Sequence, residues 1–464
     1  MKRTILTLTA FLSILPVSTS YAADQSSTRE SYIQSQLINA NSFITDPNVR
    51  QEKYSSMEES PFSFYRAANP LFYADLGTGV IPIPSTWKTT ANIRTWIQGD
   101  AHTQNIGFFD NSNGEIVFDL NDSDESYVAP FYWDLIRFST SVFLMTNEAS
   151  SVSLTMQERR DLVTSFLTTY QDTLTSVNGN SGETSTQLDE GTLTSGFVQD
   201  EMRDIKSSDS VTKLLNKWTT TTSGTRLFNF SNSNLLAVTS TERTNIINNW
   251  PNYKASISNF VSSKPSTYFT IKDLARRLHS GLGSLGVDKF YVLIEGDTTS
   301  QNDDVILEVK EQRNPSMFLE GSLSQSQYNT WFTSHANRSK TGELANGIKV
   351  DNHLGEVSFN NKSYRVQRIS PWDETFDASD FKSKSDVQDF LKYSAKALAY
   401  AHARADKDYN STYVNYNFEQ GVLDAISAWP QFKTTVLQLS ENYYNQVLAD
   451  YTLFEDLRHT GKLQ

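Results

Sequence analysis

The apolar residues of this chain change their spacing twice along its length. From Trp133 to about Val177, and again beyond Asp386, they recur at the helical period, as in WDLIRFSTSVFLM and DVQDFLKYSAKALAYAHARAD. Between these regions, the stretches KFYVLIEG and DVILEVKEQ run in short apolar or alternating blocks that are typical of β-strands. The stretch GEVSFNNKSYRVQRI predicts a hairpin closed by Asn360 and Asn361. We therefore predict an α+β fold, with helical regions on both sides of a small antiparallel sheet.

Length and charge limit the class of protein further. The 464 residues correspond to about two to three domains, or to one large two-lobed unit. We predict four segments: a signal peptide at 1–22, a helical region with a catalytic loop at 23–265, a sheet lobe with a Gly-rich loop at 266–372, and C-terminal helices at 373–464 that pack on the larger lobe. The formal charge of −13 argues against a nucleic-acid partner. The absence of cysteine excludes disulfides and thiolate chemistry.

The N-terminus has the pattern of a secretion signal. Lys2 and Arg3 precede an apolar run that ends near Val17, and small residues follow up to Ala22. The run is shorter than the roughly 20 residues that a membrane-spanning helix needs, and no later run is long enough. We expect an exported protein, periplasmic or extracellular, with no stable membrane anchor after cleavage.

A group of acidic and amide residues follows the stretch TWIQ. Asp100 and Asn105 are five positions apart in GDAHTQN, and Asp119 ends the apolar stretch EIVFD. Phosphotransfer enzymes use this layout: an Asp orients the acceptor hydroxyl, an Asn five residues later holds a metal, and a strand-end Asp holds it from the other side. Hard oxygen ligands suit Mg²⁺ or Mn²⁺, which neutralise phosphate charge. A metal-dependent phosphoesterase is an alternative for GDAH, although the six histidines form no second ligand cluster.

A Gly-rich segment lies farther along the chain. Gly281, Gly283 and Gly286 satisfy G-x-G-x-x-G, but we predict a helix before them, in KDLARRL, and a strand after them, which is the wrong order for a dinucleotide fold. A flexible hairpin over phosphates fits better, because Lys310 follows on the second of the next two strands. A lysine in an apolar strand is costly without a partner such as a phosphate. The alternative is an exposed charge flanked by Glu308 and Glu311.

These motifs together resemble those of kinases. Lys310 and its Gly-rich hairpin look like a kinase N-lobe, while GDAHTQN and FDLND look like the catalytic and metal loops of aminoglycoside and choline kinase-like phosphotransferases. The catalytic loop precedes the Gly-rich loop, so the resemblance implies a protein-kinase-like two-lobed fold in circularly permuted order. The chain also resembles the bacterial family known as domain of unknown function 2252, through SPFSFYRAA, GDAHTQNIG, FDLNDSDES, PFYWDLIRFSTS, KDLARRLHSGLGSLG, YVLIEG, LEVKEQRNPS and LAYAHARA.

The resemblance implies a role for each matching residue. Asp100 would be the catalytic Asp, and Lys310 would bind nucleotide phosphates beneath the three glycines. Asn105 and Asp119 would hold the metal, with Asp122 as a rival for the second position because DLND offers two acids. Glu343 is our candidate partner for Lys310. Bracing or structural hydrogen-bonding roles are expected of Asp134, Arg66, His402 and Arg404.

The sequence thus leads to two functional hypotheses. The first is an exported kinase-like enzyme that uses Mg²⁺ or Mn²⁺ to transfer a phosphoryl or nucleotidyl group from ATP, or another nucleotide, to a hydroxyl acceptor. The second is a pseudokinase-like protein that binds a nucleotide or another anion without turnover, since nucleotide is scarce outside the cytoplasm. Whether the acceptor is a small molecule or a protein stays open.

Overall fold

The fold is a mixture of helices and antiparallel sheets, as the apolar spacing predicts. The structure, a computed structural model, describes residues 18–463, and about half of the chain is helical. The predicted signal peptide lies outside the described residues, apart from residues 18–22, whose backbone belongs to the first helix. Within residues 18–463, no helix is both long and apolar enough to cross a membrane.

The helices and strands follow one another along the chain with these bounds. The helices are Ser18–Ala40 (α1), Pro47–Met57 (α2), Pro61–Ala67 (α3), Asn69–Thr78 (α4), Ser85–Thr89 (α5), Tyr132–Glu148 (α6), Met156–Val177 (α7), Gly182–Ser185 (α8), Phe197–Ser208 (α9), Val211–Trp218 (α10), Ser240–Ser256 (α11), Ser258–Ser262 (α12), Gln325–Trp331 (α13), His335–Asn346 (α14), Lys384–Arg404 (α15), Lys407–Asn410 (α16), Phe418–Ala425 (α17) and Trp429–His459 (α18), with a 3₁₀ helix at Ser316–Glu320. The strands are Arg94–Ile97 (β1), Ile106–Asp110 (β2), Ile116–Leu120 (β3), Tyr127–Pro130 (β4), Thr219–Thr222 (β5), Thr225–Phe228 (β6), Leu235–Ala237 (β7), Ile271–Arg277 (β8), Lys289–Ile294 (β9), Val305–Gln312 (β10), Gly355–Phe359 (β11), Lys362–Arg368 (β12) and Glu374–Thr375 (β13).

The largest sheet has six strands in the order β11-β12-β10-β9-β8-β7, all antiparallel. Side chains alternate between the two faces of a strand, so one face is apolar and packs against α11. On the other face, the register aligns Lys289, Lys310 and Arg365 across three neighbouring strands. We call these three residues the charged row.

The larger core lies among the helices outside this sheet. Helix α15 packs against α7 and α18 against α6, and their buried faces join one continuous apolar cluster. Helix α6 is buried along nearly its whole length, and its buried residues include the charged Asp134 and Arg137. Two small sheets, β1-β4 and β13-β2-β3, lie beside this core. The segment that contains Asp100 connects the end of β1 to the start of β2.

One sequence prediction about local structure is wrong. The stretch KDLARRL is strand β8 and not a helix, because its backbone pairs with both β7 and β9. Strands β5 and β6 form a further hairpin. The predicted hairpin of β11 and β12 is confirmed, with Asn360 and Asn361 at φ of 52° and 58°. The predicted segment boundaries stay predictions. The edge strand β7 of the six-stranded sheet comes before residue 266, at which the predicted sheet lobe begins.

Candidate functional site

The segment between β1 and β2 is held by a buried carboxylate. Asp134, at the start of α6, accepts hydrogen bonds from the backbone N–H groups of Gln98 at 2.7 Å and Gly99 at 3.0 Å. His402 Nε2 lies 3.2 Å from the same carboxylate. Gly99 has a φ of +78°, and a Cβ there would lie 2.5 Å from the carbonyl oxygen of Glu125. The predicted bracing role of Asp134 and the structural role of His402 are therefore confirmed.

Asp100 projects from this braced segment and forms an ion pair with a fully buried arginine. Arg137 Nε donates to Asp100 Oδ1 at 2.8 Å, and the second guanidinium nitrogen donates to the same oxygen. The other oxygen, Oδ2, lies 3.9 Å from His102 Nε2. Burial raises the pKa of Asp100, and the charge of Arg137 opposes that rise. One carboxylate oxygen is thus fixed, while Oδ2 is the one that can meet a ligand.

Asn105 closes the same segment. Its Nδ2 donates to the carbonyl oxygen of Asp100 at 3.0 Å, so the amide oxygen is the group that Asn105 can present to a ligand. The backbone carbonyl of Asn105 accepts from Gln98 Nε2 at 2.7 Å. Asn105 is therefore oriented by its own loop before any ligand binds.

The two rival metal-binding aspartates have different surroundings. Asp119 Oδ2 accepts from Arg404 at 3.0 Å and Oδ1 accepts from the N–H of Leu120 at 2.9 Å. Burial raises the pKa of Asp119, which Arg404 opposes. Asp122 is 36% exposed, and its Oδ2 lies 3.5 Å from Lys310 Nζ. The structure thus brings Asp122, and not Asp119, beside Lys310.

Lys310 lies in the middle of the charged row and is almost fully buried. It forms ion pairs with Asp122 and Asp124. Burial lowers the pKa of Lys310, but these carboxylates more than offset this and hold the pKa above its usual range. The same pairing holds the pKa of Asp124 below its usual range, against the effect of burial. Lys310 is therefore charged, and its ammonium group is paired with the carboxylates of Asp122 and Asp124.

Glu343 is not the partner of Lys310, so that prediction is wrong. Its carboxylate lies 3.1 Å from Arg365 NH1, while Arg365 NH2 lies 3.1 Å from Asp124 Oδ1. The cause is the register: Arg365 lies on β12, next to α14, and so comes between Glu343 and Lys310. Lys289, the third member of the row, lies 3.8 Å from Glu308. Each cation of the charged row is thus paired, by a set of four carboxylates: Asp122, Asp124, Glu308 and Glu343.

The Gly-rich segment connects β8 to β9, as a hairpin loop. Gly281 and Gly286 have φ of +68° and +97°, which favours glycine at both positions. A Cβ at Gly286 would lie 2.6 Å from Ile44, so this residue serves packing. Gly281 and Gly283 line the same cavity as Asp100. Two of the three glycines are therefore brought to the braced segment that contains Asp100.

Two adjoining spaces lie between the sheet and the braced segment that contains Asp100, and Asn105 and Asp122 line both. The first, which we call the polar cleft, has about 300 Å³ and contains Lys310 and Arg365. The second, which we call the large cavity, has about 520 Å³ and lies beneath the Gly-rich loop. Asp119 lines neither of them and faces a third space of about 190 Å³. Six predicted residues from distant parts of the chain thus line these two spaces, namely Asp100, Asn105, Asp122, Gly281, Gly283 and Lys310, while Asp119 and Gly286 do not.

The residues of the polar cleft fit a metal ion whose coordination is completed by a bound ligand and water. Among residues 18–463, no three His, Asp or Glu side chains are grouped as a preformed metal site. Mg²⁺ commonly takes only one or two carboxylates from the protein, and the phosphates of the substrate and water supply the rest. Asp122 and the amide oxygen of Asn105 line the polar cleft and are the groups that would hold such an ion.

Several site residues escape the sequence patterns. Arg137 is a charged residue inside the apolar stretch WDLIRFSTSVF, and a buried charge of this kind requires a partner, which is a usable signal. Arg338 is fully buried and donates to the backbone carbonyls of Asp124 and Ser126, which shapes the acidic loop. No local pattern identifies Arg338 or Arg365, because their roles depend on packing between distant segments.

The fold and site define an α+β protein with a polar cleft between an antiparallel sheet and a braced acidic segment. The family model described as "Uncharacterized protein conserved in bacteria (DUF2252)" matches residues 45–457. The chain belongs to this family. No curated protein and no solved structure matches the chain.

Proposed function

We propose that this protein is a kinase-like phosphotransferase with circularly permuted lobes. It would use Mg²⁺ or Mn²⁺ to transfer a phosphoryl or nucleotidyl group from ATP, or another nucleotide, to a hydroxyl acceptor. The observation that carries the proposal is the approach of Lys310 to Asp122, 188 residues away in the sequence, beside Asn105 at the mouth of the polar cleft. A cation for phosphate and oxygen ligands for a metal are the parts that this chemistry needs.

The sheet supports the kinase-like assignment. Counted from β8, the Gly-rich loop joins the first two strands, the lysine lies on the third, and helix α14 with Glu343 follows. Protein kinases place a Gly-rich loop, a third-strand lysine and a helix-borne Glu in the same order. This chain differs in one respect, because Arg365 takes the Glu343 carboxylate.

Each group has a defined part in the proposed transfer. The acceptor oxygen attacks the γ-phosphorus of ATP, the bond to the bridging oxygen breaks, ADP leaves, and the acceptor proton passes to Asp100 Oδ2. In nucleotidyl transfer the attack falls on the α-phosphorus and pyrophosphate leaves. Lys310 would bind phosphate oxygens, and Asn105 and Asp122 would hold the metal that neutralises them. Catalysis would come from positioning and charge neutralisation.

Binding requires an exchange of partners at Lys310. Its ammonium group is held by Asp124 and Asp122 in the ligand-free arrangement. Phosphate oxygens would replace Asp124 at Lys310, and Arg365 and Gln312 would keep the Asp124 carboxylate paired. A metal at Asp122 would favour this exchange, because it neutralises the second aspartate.

The second candidate is a binding protein without turnover. It is favoured by the ion pair of Asp100 with Arg137, because this pair occupies one carboxylate oxygen and opposes the rise in the pKa of Asp100 that burial causes. The predicted export of the chain, away from the cytoplasmic nucleotide supply, favours it too. Slow ADP formation with water as acceptor distinguishes the two: an enzyme shows it and loses it in Asp100→Asn, whereas a binding protein shows none.

Calorimetric titration of ATP with and without Mg²⁺ tests the proposal. We expect Mg²⁺-dependent binding that is lost in Lys310→Met and in Asp122→Asn. The matched controls are Lys362→Met, on the same sheet, and Asp297→Asn, in a surface ion pair with Lys264. Both controls should bind as the wild type does. Absence of binding at millimolar nucleotide, or equal loss in the controls, would contradict the proposal.

A further inference from the structure

The site contains a histidine that the proposed transfer does not use. His102 lies two residues after Asp100, is 2% exposed and lines the large cavity. Its Nδ1 accepts a hydrogen bond from the backbone N–H of Gln104 at 3.2 Å. Its ring packs edge-on against Phe62 of α3, with 6.1 Å between the ring centroids. The orientation of the imidazole is therefore fixed by its own loop and by α3.

The hydrogen bond at Nδ1 also decides where the ring carries its proton. An amide N–H can donate only to an unprotonated nitrogen, so in the neutral imidazole the proton is on Nε2. Burial, aided by the charges of Arg66 and Arg137, holds the pKa of His102 well below its usual range, so the ring is neutral. His102 therefore presents one N–H donor, at Nε2.

This donor lies beside the carboxylate oxygen of Asp100 that Arg137 leaves free. His102 Nε2 and Asp100 Oδ2 are 3.9 Å apart, which is too long for a direct hydrogen bond. A single oxygen atom at roughly 2.8 Å from each atom can bridge them. Because Nε2–H donates and Oδ2 accepts, the bridging oxygen must accept one hydrogen bond and donate another. A hydroxyl group does both, whereas an ammonium group has no lone pair for Nε2–H.

We propose that His102 Nε2–H and Asp100 Oδ2 together bind the acceptor hydroxyl, which makes His102 a further catalytic residue. This inference rests on the proposed function, because it assigns a residue to the second substrate of the same transfer. One lone pair of the hydroxyl oxygen would accept from Nε2–H, and the other would attack the γ-phosphorus. The bond from phosphorus to the bridging oxygen of ATP would break, ADP would leave, and the hydroxyl proton would pass to Oδ2. His102 keeps its proton throughout and orients the attacking oxygen.

Two substitutions separate this role from a structural one. His102→Gln can place its amide nitrogen near the position of Nε2, so it keeps the donor to the hydroxyl and loses the acceptor for the Gln104 N–H. His102→Asn can place its amide oxygen near the position of Nδ1, so it keeps that acceptor and loses the donor. A purely structural His102 tolerates Asn better than Gln, whereas a hydroxyl-binding His102 tolerates Gln better than Asn.

ADP formation from Mg²⁺-ATP, with water as the acceptor, measures the difference in the full chain. We expect the rate to fall about tenfold in His102→Asn, which is the effect of one lost hydrogen bond, and to stay within about threefold of the wild type in His102→Gln. The affinity for ATP, measured by calorimetry, should stay unchanged in both variants. His459→Gln, which changes an exposed histidine beside Glu58, is the matched control and should change neither quantity.

The possible failures are distinguishable. A greater loss of rate in His102→Gln than in His102→Asn would reduce His102 to its bond with Gln104 and overturn the inference alone. A weaker ATP affinity in His102→Asn would assign Nε2–H to a nucleotide phosphate and would also overturn it. Absence of ADP formation by the wild type would overturn the proposed function, and the inference with it.

A second measurement needs neither turnover nor a folded variant. The ¹⁵N chemical shifts of the histidine rings in the wild-type protein report which ring nitrogens carry protons. We expect His102 at pH 7 to be neutral and protonated at Nε2. A ring protonated at Nδ1 would leave no donor beside Asp100 Oδ2 and would overturn the inference.

Discussion

The two faces of the six-stranded sheet differ in chemistry: one is apolar, while the other is apolar only where Tyr291, Leu293 and Ile306 pack against α10. One face places Phe290, Val292, Leu307 and Val309 against α11, and their burial contributes to the stability of the sheet. The other face carries the charged row of Lys289, Lys310 and Arg365, each 2–6% exposed. Burying three cations side by side costs free energy unless anions meet them. Four carboxylates meet them, from Asp122, Asp124, Glu308 and Glu343. The difference teaches that the apolar face stabilises the fold by burial, while the charged face needs its acidic partners, which the proposed ligand would partly replace.

The largest effect should come from the apolar face. Leu307 is fully buried there, so Leu307→Ala should lower the free energy of unfolding by about 2–5 kcal/mol through lost burial and the cavity left behind. Nucleotide binding per folded molecule should stay unchanged. Urea unfolding gives the first quantity and calorimetry the second. A loss of stability below about 1 kcal/mol, or a loss of binding in the folded variant, would show that the faces do not divide their roles.

The next effect concerns Lys53, the cation that lies across the cavity from the sheet. The pKa of Lys53 is lowered from 10.5 to about 8, so the folded protein binds this proton more weakly than the unfolded chain does. Between pH 8 and 10.5 the unfolded chain holds this proton and the folded chain does not, so rising pH stabilises the wild type. Lys53→Met should therefore be more stable at pH 7, by up to about 3 kcal/mol.

That advantage should shrink as the pH passes from 8 to 10.5. Urea unfolding of both proteins at pH 7 and pH 10 measures the difference between them, in which the other titrating groups largely cancel. An advantage that stays constant with pH would contradict a buried Lys53 whose pKa is lowered.

The smallest change in stability is expected on the charged face. Lys310→Met leaves Asp124 with Arg365 and Gln312, and Asp122 is partly solvated, so about 1–2 kcal/mol should be lost. Lys362→Met removes ion pairs from a half-exposed lysine of the same sheet and should cost less than about 1 kcal/mol. The two variants should thus differ little in urea unfolding, although only the first loses nucleotide binding. A loss at Lys310 as large as that at Leu307 would make the charged row a structural feature.

Part of the fold follows from the sequence. The apolar periods predict the long helices, the strands β9 and β10 and the hairpin at Asn360, because each of these depends on local spacing. Strand β8 does not follow: its Lys, Leu, Ala and Arg residues are good helix formers, and only pairing with β7 and β9 makes it a strand. The short strand β13 depends on β2 in the same way.

The candidate site, too, follows from the sequence only where local spacing defines it. The spacing of Asp100 and Asn105 and the apolar setting of Lys310 single out, from local pattern alone, residues that line the two adjoining spaces. The choice between Asp119 and Asp122, and the partner of Lys310, depend on where Arg404 and Arg365 lie, and these come from distant elements. Lys53 gives no local signal, because its burial appears only once the Gly-rich loop folds over it.

The most direct test of the kinase-like assignment is a crystal structure with Mg²⁺ and a non-hydrolysable ATP analogue. We expect the ion to be bound by Asp122 and the Asn105 amide oxygen at about 2.0–2.1 Å. Lys310 Nζ should have left Asp124 and should contact a phosphate oxygen in the polar cleft. An analogue bound away from this cleft, or a Lys310 that still pairs with Asp124 while the analogue is bound, would contradict the assignment.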